Sequence, residues 1–175
     1  MSPEPRHLRD WIAALFAGLE RAEPHSALGV QNLAGSEVSR IMLDNERVTV
    51  LFGQKGLRVT RLKTGARLTP PYGVTDRKTV GALLLGHMEI SEAIAHNHIR
   101  LRGTADQVMA ICAIIEVLVD ASTRIPALQE LAGDFLASTE LTDLRAEQAQ
   151  RHRQSDVLRL KELALLQREG LLNGT

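Results

Sequence analysis

"HIRLRGTADQVMAICAIIEVLV", residues 98–119, carries two hydrophobic periods in succession. Over 98–102 the side chains alternate. Ile99 and Leu101 fall on one side, and His98, Arg100 and Arg102 on the other, which predicts a half-buried strand. Gly103 ends it. From residue 105 the period becomes helical. Val108, Ile111, Cys112, Ile115, Leu118 and Val119 make one stripe, with Asp106, Glu116, Asp120 and Arg124 largely opposite. The helix is expected over 105–123, with Pro126 closing it. A strand that feeds a long one-sided helix implies a sheet whose apolar face needs covering.

The upstream chain supplies that sheet. "EVSRIML", "RVTVLFG" and "LRVTRLK", within 37–63, are rich in β-branched residues and separated by the turn-like "DNE" and "QKG". Val48, Val50 and Phe52 share a face, as do Leu57 and Val59, while Arg58 and Thr60 take the other. This pattern predicts an antiparallel meander. A fourth strand is expected through "ARLT", ended by Pro70, Pro71 and Gly73.

Helices are expected around it. Residues 3–22 repeat Leu8, Trp11, Ile12, Leu15, Phe16 and Leu19 at helical spacing, with Ser2 and Pro3 suited to its start and Pro24 and Gly29 breaking the pattern. Residues 75–86, with Thr75 as N-cap, and 89–97 are short helices, as is 126–137. The fold class is therefore α+β: an antiparallel sheet with one face covered by helices. The domain is expected to span 1–137, followed by a helical C-terminal arm over 138–175. The middle of the arm cannot pack a core. Its leucines at 158, 160, 163, 165 and 166 need burial against the domain, a second copy or a membrane surface.

Composition narrows the function classes. Lys+Arg and Asp+Glu are 21 each, so the net charge is zero, and aromatic residues are 3%. Neither favours nucleic acid, which selects a basic surface and stacking rings. Hydrophobic residues at 44% allow a real core. One cysteine, Cys112, cannot form an internal disulfide, and the first residues lack the apolar core of a secretion signal, so a cytoplasmic location is expected. The longest apolar run, 108–119, is too short for a bilayer.

Catalytic signatures are absent: no phosphate-binding loop, no G-x-S-x-G, no H-E-x-x-H and no C-x-x-C. His87, His96 and His98 do not converge by spacing, and His98 shares a strand face with Arg100 and Arg102, whose charge repels a cation. No metal and no cofactor are expected. Cys112 falls on an apolar helix stripe, where thiols are usually inert.

The order strands, short helix, glycine, short helix, strand, glycine, long apolar helix has a counterpart. Residues 80–118, "VGALLLGHMEISEAIAHNHIRLRGTADQVMAICAIIEVL", resemble the sterol-carrier-protein-2 family of lipid-binding domains. The matching positions are Leu83, Leu84 and Gly86, then Ala93, then Ile99, Leu101 and Gly103. The resemblance spans roughly 35–125. Thr104 stands where that family commonly has aspartate, and "TPPYGV" interrupts a region where it usually runs a clean strand. Some bacterial ubiquinone-biosynthesis accessory proteins share the outline of such a domain with a helical extension.

The resemblance implies a hydrophobic tunnel between sheet and helices. Its expected lining is Val50, Phe52, Leu84, Met88, Ile94, Ile99, Leu101, Cys112, Ile115 and Val119. The same residues would equally make a filled core. The implied function is non-catalytic binding of a lipid-like molecule (a sterol, a polyprenyl or quinone chain, or an acyl chain) and its presentation to a partner. Two alternatives stand beside it. One is a solid-core oligomerisation module, pairing through the C-terminal arm. The other is an isomerase or cyclase that shapes a hydrophobic substrate, for which His96, Cys112 and Glu116 are the polar candidates. Arg58, Arg100 and Arg102 share the outer sheet face. There they could meet anionic headgroups in peripheral membrane contact, or simply guard the sheet against edge-to-edge association.

Overall fold

The computed structural model describes residues 7–53 and 56–139. The chain divides between Thr139 and Glu140, and the expected arm lies, from residue 140 on, outside the described residues. So do Ser2 and Pro3, the expected start of the first helix.

The element order is α1 (Leu8–Ala22), α2 (Pro24–Ala34), β1 (Ser39–Leu43), β2 (Glu46–Gly53), β3 (Gly56–Arg61), β4 (Tyr72–Thr75), α3 (Arg77–Leu84), α4 (Ile90–Ala95), β5 (Arg100–Arg102), α5 (Ala105–Arg124) and α6 (Pro126–Ala137). The class is α+β. The five strands form one sheet in the order β3-β2-β1-β4-β5. The β1–β2, β2–β3 and β4–β5 pairs are antiparallel.

The sheet departs from the antiparallel expectation at one pair: β1 and β4 run parallel, with Arg40 opposite Tyr72 and Leu43 opposite Thr75. The expected strand at "ARLT" does not form. Residues 62–71 instead carry the chain back from β3, at one edge, to the far side of β1. They are held on the way by Arg47 Nη1 donating to the Ala66 carbonyl and Arg40 Nη1 donating to Thr69 O at 3.1 Å. The prolines precede the fourth strand rather than ending it, and the Pro70–Pro71 peptide is cis. Local pattern cannot reveal this, because strand direction depends on where the connection crosses.

Helix boundaries follow local chemistry. Pro24 does end the first helical pattern, but as the first residue of α2, where its missing N–H costs nothing. Gly29 is tolerated inside that helix. Thr75 does not cap α3. It is the last residue of β4, and its hydroxyl donates to His98 O at 3.2 Å. Asp76 is the cap, accepting from Thr79 N at 2.7 Å. Thr104 caps α5 in a reciprocal box: Gln107 N donates to Thr104 Oγ1 at 3.3 Å and Thr104 N to Gln107 Oε1 at 2.8 Å. A Cβ on Gly103 beside it would lie 2.7 Å from Gln107 Oε1 and displace that side chain from the cap.

At one end of the sheet a carboxylate caps from a distance. Glu46, opening β2, accepts from Leu8 N at 3.0 Å and from Arg77 Nη2 at 3.2 Å. It thereby ties β2 to the first turns of α1 and α3. Arg77 also pairs with Asp44 at 3.3 Å and lies over the Phe135 ring.

Three apolar clusters hold the domain. Phe16, Leu19, Ala27, Val30, Ala121, Ile125 and Leu128 join α1, α2, α5 and α6. Leu8, Trp11, Leu43, Val48, Val50 and Phe135 join the sheet to α1 and α6. Ala82, Leu83, Met88, Ala93 and Ile99 form a separate cluster around α3 and α4. The strand side chains in these clusters all come from one face of the sheet, as the alternation predicts. No helix among the described residues is long and apolar enough to cross a membrane.

Candidate functional site

Between the sheet and the helices lies a cavity of about 320 Å³. Its floor is the inner face of the sheet: Ile41 and Leu43 of β1, Val50 and Phe52 of β2, Gly73 of β4 and Leu101 of β5. Leu8, Trp11, Ile12 and Leu15 of α1 close one side. Val80, Leu83 and Leu84 of α3 and Leu131 and Phe135 of α6 close others. The roof is α5, through Ile111, Ile114, Ile115, Leu118 and Val119.

α5 packs mainly on α2 and α6, and the cavity lies between it and the sheet. Burial along α5 agrees. In a filled core the inward stripe of a 20-residue apolar helix is fully buried. Here Ile111, Ile114, Ile115, Leu118 and Val119 are each only half-buried, and the fully buried positions of α5 are Ala121 and Ser122, at its C-terminal end. Gly73 brings no side chain to the floor. A Cβ there would already sit 3.2 Å from Leu101 Cδ2. Edge-to-face pairs stiffen the walls: Trp11 with Phe135 at 5.4 Å and Phe16 with Phe52 at 4.9 Å.

Polar groups on the lining are few, and most are engaged. The Ser122 hydroxyl donates to Leu118 O at 2.7 Å, and that of Thr75 to His98 O. Glu37 accepts from Gln107 Nε2 at 2.6 Å. Glu37 and Ser39 concentrate the remaining side-chain polarity in one short stretch of the wall, while the neighbouring Arg40 turns its guanidinium to the Val38 and Thr69 carbonyls. Most of the rest is hydrocarbon.

Of the ten residues expected to line a tunnel, Val50, Phe52, Leu84, Ile99, Leu101, Ile115 and Val119 lie on this wall. Met88, Ile94 and Cys112 do not. Met88 and Ile94 pack into the cluster around α3 and α4. Cys112 is turned away because α5 is apolar over most of its circumference, so periodicity alone does not fix which stripe faces in. Ile114 takes the place the pattern gave to Cys112. The α1 residues, Ile41, Leu43 and the α6 residues were visible as apolar positions, but not as neighbours of one void.

The polar candidates are dispersed. Burial, aided by the nearby Glu116 carboxylate, pushes the Cys112 thiol up from its ordinary range and keeps it protonated at neutral pH. Glu116 is exposed. His96 Nδ1 lies 3.0 Å from Glu92 O, and the His96 and His98 rings are 6.2 Å apart. Among the described residues no three His, Cys, Asp or Glu side chains are arranged to hold a metal ion.

No family model matches the chain, and no curated protein does. Solved structures are similar in fold. One is a "UbiJ-SCP2 Ubiquinone synthesis protein", 12% identical, covering 61% of this chain and 85% of its own, with a TM-score of 0.45. A second is a conserved hypothetical protein of Thermus thermophilus, described as possibly a sterol carrier protein. It is 14% identical over 75% of this chain and 92% of its own, with a TM-score of 0.49. A third is the sterol carrier protein domain 2 of Helicoverpa armigera, 12% identical over 69% and 95%, with a TM-score of 0.48.

Proposed function

We propose that the protein binds a water-insoluble, largely hydrocarbon molecule in the cavity beneath α5 and carries it to a partner. The observation that supports this most directly is the half-buried inward stripe of α5 above an apolar floor. An apolar cavity of this size is otherwise a standing cost, because its lining forfeits the contacts a packed core would make. A ligand restores them. At about 30 Å³ per water-sized group, 320 Å³ accommodates roughly ten methylene-sized units. At about 0.8 kcal/mol each, their burial contributes on the order of 8 kcal/mol before association costs. That suits an acyl chain or an isoprenoid segment. The hydroxyls of Ser122 and Thr75 are already engaged, so recognition rests on shape and burial, with the polar end of the ligand placed near Glu37 and Ser39.

The test is native mass spectrometry of the purified full chain, followed by solvent extraction and titration with a fluorescent fatty acid. A stoichiometric lipid, or saturable probe uptake by the stripped protein, is the expected result. An empty protein that takes up no fatty acid, sterol or quinone overturns the reading and favours the assembly module. The same spectrum then gives the number of chains.

A further inference from the structure

The sheet face turned away from the helices has the most one-sided charge in the domain. The observed registers put Arg40, Arg47, Arg58, Arg100 and Arg102 on it. No aspartate or glutamate occupies a strand position on this face. Between the arginines lie Met42, Leu51, Tyr72 and Val74, all half-exposed. In one row Arg102, Tyr72, Arg40 and Thr49 stand opposite one another across four strands. Five strands at about 4.8 Å make a plate roughly 20 Å across.

These charges are not cancelled locally. Arg58, Arg100 and Arg102 are exposed and form no ion pair among the described residues. Arg40 and Arg47 donate to backbone carbonyls, which are neutral. Those bonds also draw the crossing segment to this side, and it brings the exposed Lys63 and Arg67. On the far side, α5 and α6 are mostly acidic: Asp106, Glu116 and Asp120 on α5, where Arg124 is the one basic residue and pairs with Asp120, and Glu130 and Asp134 on α6. The outer sheet face is therefore basic where α5 and α6 are acidic. Protection of sheet edges explains charged side chains on β3 and β5. It does not explain Arg40 on the central strand, nor why every charge on the face has one sign.

We propose that this face docks on an anionic lipid bilayer. Arginines spaced over a broad plate match a plane of phosphate headgroups, and the half-exposed apolar side chains between them suit the interface below. Tyr72 is the one aromatic on the face, which leaves nucleic acid without a stacking platform. The choice of a membrane also rests on the proposed carrier function, since a carrier of a water-insoluble molecule loads and unloads at membranes.

The experiment is flotation of the full chain with vesicles of phosphatidylcholine alone, and of three parts phosphatidylcholine to one part phosphatidylglycerol. Binding to the anionic vesicles only, lost at 1 M salt where the screening length falls to about 3 Å, is expected. Each surface arginine near the membrane is worth about fivefold in partition. The triple variant Arg58→Gln, Arg100→Gln, Arg102→Gln should therefore bind on the order of a hundredfold more weakly, and the triple arginine-to-lysine variant close to wild type. Circular dichroism and fatty-acid uptake by the glutamine variant check that fold and cavity persist. Equal binding to both vesicle types, or a glutamine variant that binds like wild type, overturns the proposal. So does binding of an oligonucleotide in place of vesicles. Loss of fatty-acid uptake with intact vesicle binding would instead overturn the carrier reading and leave the docking face standing.

Discussion

Filling the cavity from both walls separates a hollow core from a packed one. Val50 rises from β2 and Val119 descends from α5. Valine to phenylalanine adds four carbons at each, and eight groups at about 30 Å³ occupy roughly 240 Å³ of the 320 Å³ present. Neither change offends local propensity, since phenylalanine suits a strand and matches valine in a helix. Each displaced methylene-sized unit removes about 0.8 kcal/mol of ligand burial. One substitution thus withdraws about 3 kcal/mol, or some two orders of magnitude in affinity, and the pair abolishes measurable uptake of a fluorescent fatty acid. Stability should move the other way. In a real void the new rings find contacts, and Tm holds or rises. In a solid core each costs about 1–3 kcal/mol through overpacking, and Tm falls by roughly 2–4 °C per kcal/mol. Titration of the probe and a thermal melt on the same preparations decide it. A double variant that takes up the probe like wild type, or that melts about 5 °C or more below it by this scale, refutes a hollow core.

Three further outcomes follow from the framework around the cavity. Thr104→Ala removes one half of the reciprocal cap of α5 and should cost about 1 kcal/mol in urea denaturation, most of it restored by Thr104→Asp. Glu46→Ala strips the half-buried acceptor shared by Leu8 N and Arg77. With charged hydrogen bonds worth about 1.5–3 kcal/mol and the pair partly screened, about 1–2 kcal/mol is expected, with hydrogen exchange rising first in the opening turn of α1. The hydrogen bond from Arg124, with a second from Ser26, holds the Glu23 carboxyl below its usual range. A lowered folded pKa means the contribution is present above the unfolded carboxylate value and lost as pH falls through the folded one. The stability gap between wild type and Glu23→Gln should therefore close in acid. A gap that is independent of pH contradicts that assignment.

What the sequence determined by itself was everything carried by local period. The stripe of α1 and the long helix after Gly103 appear where the pattern places them, and the alternation at 98–102 appears in part, as the three-residue strand Arg100–Arg102, because a strand or a helix exposes its own repeat to whatever it packs on. The sidedness of Val48, Val50 and Phe52, and of the arginines opposite, was legible for the same reason. What local pattern could not carry was direction and distance. The parallel pairing of β4 with β1 depends on a crossing held by arginine bonds to carbonyls far along the chain, Arg40 to Thr69 and Arg47 to Ala66. The place of Cys112 away from the void, and of Met88 and Ile94 in another cluster, depends on the rotation and seating of helices that are apolar on several sides. The cavity itself is decided by the height of α5 above the sheet. Leucine, isoleucine and valine read the same in a sequence whether they face one another or an empty space, because burial in either case removes them from water, and only the tertiary arrangement sets how far apart the two layers stand.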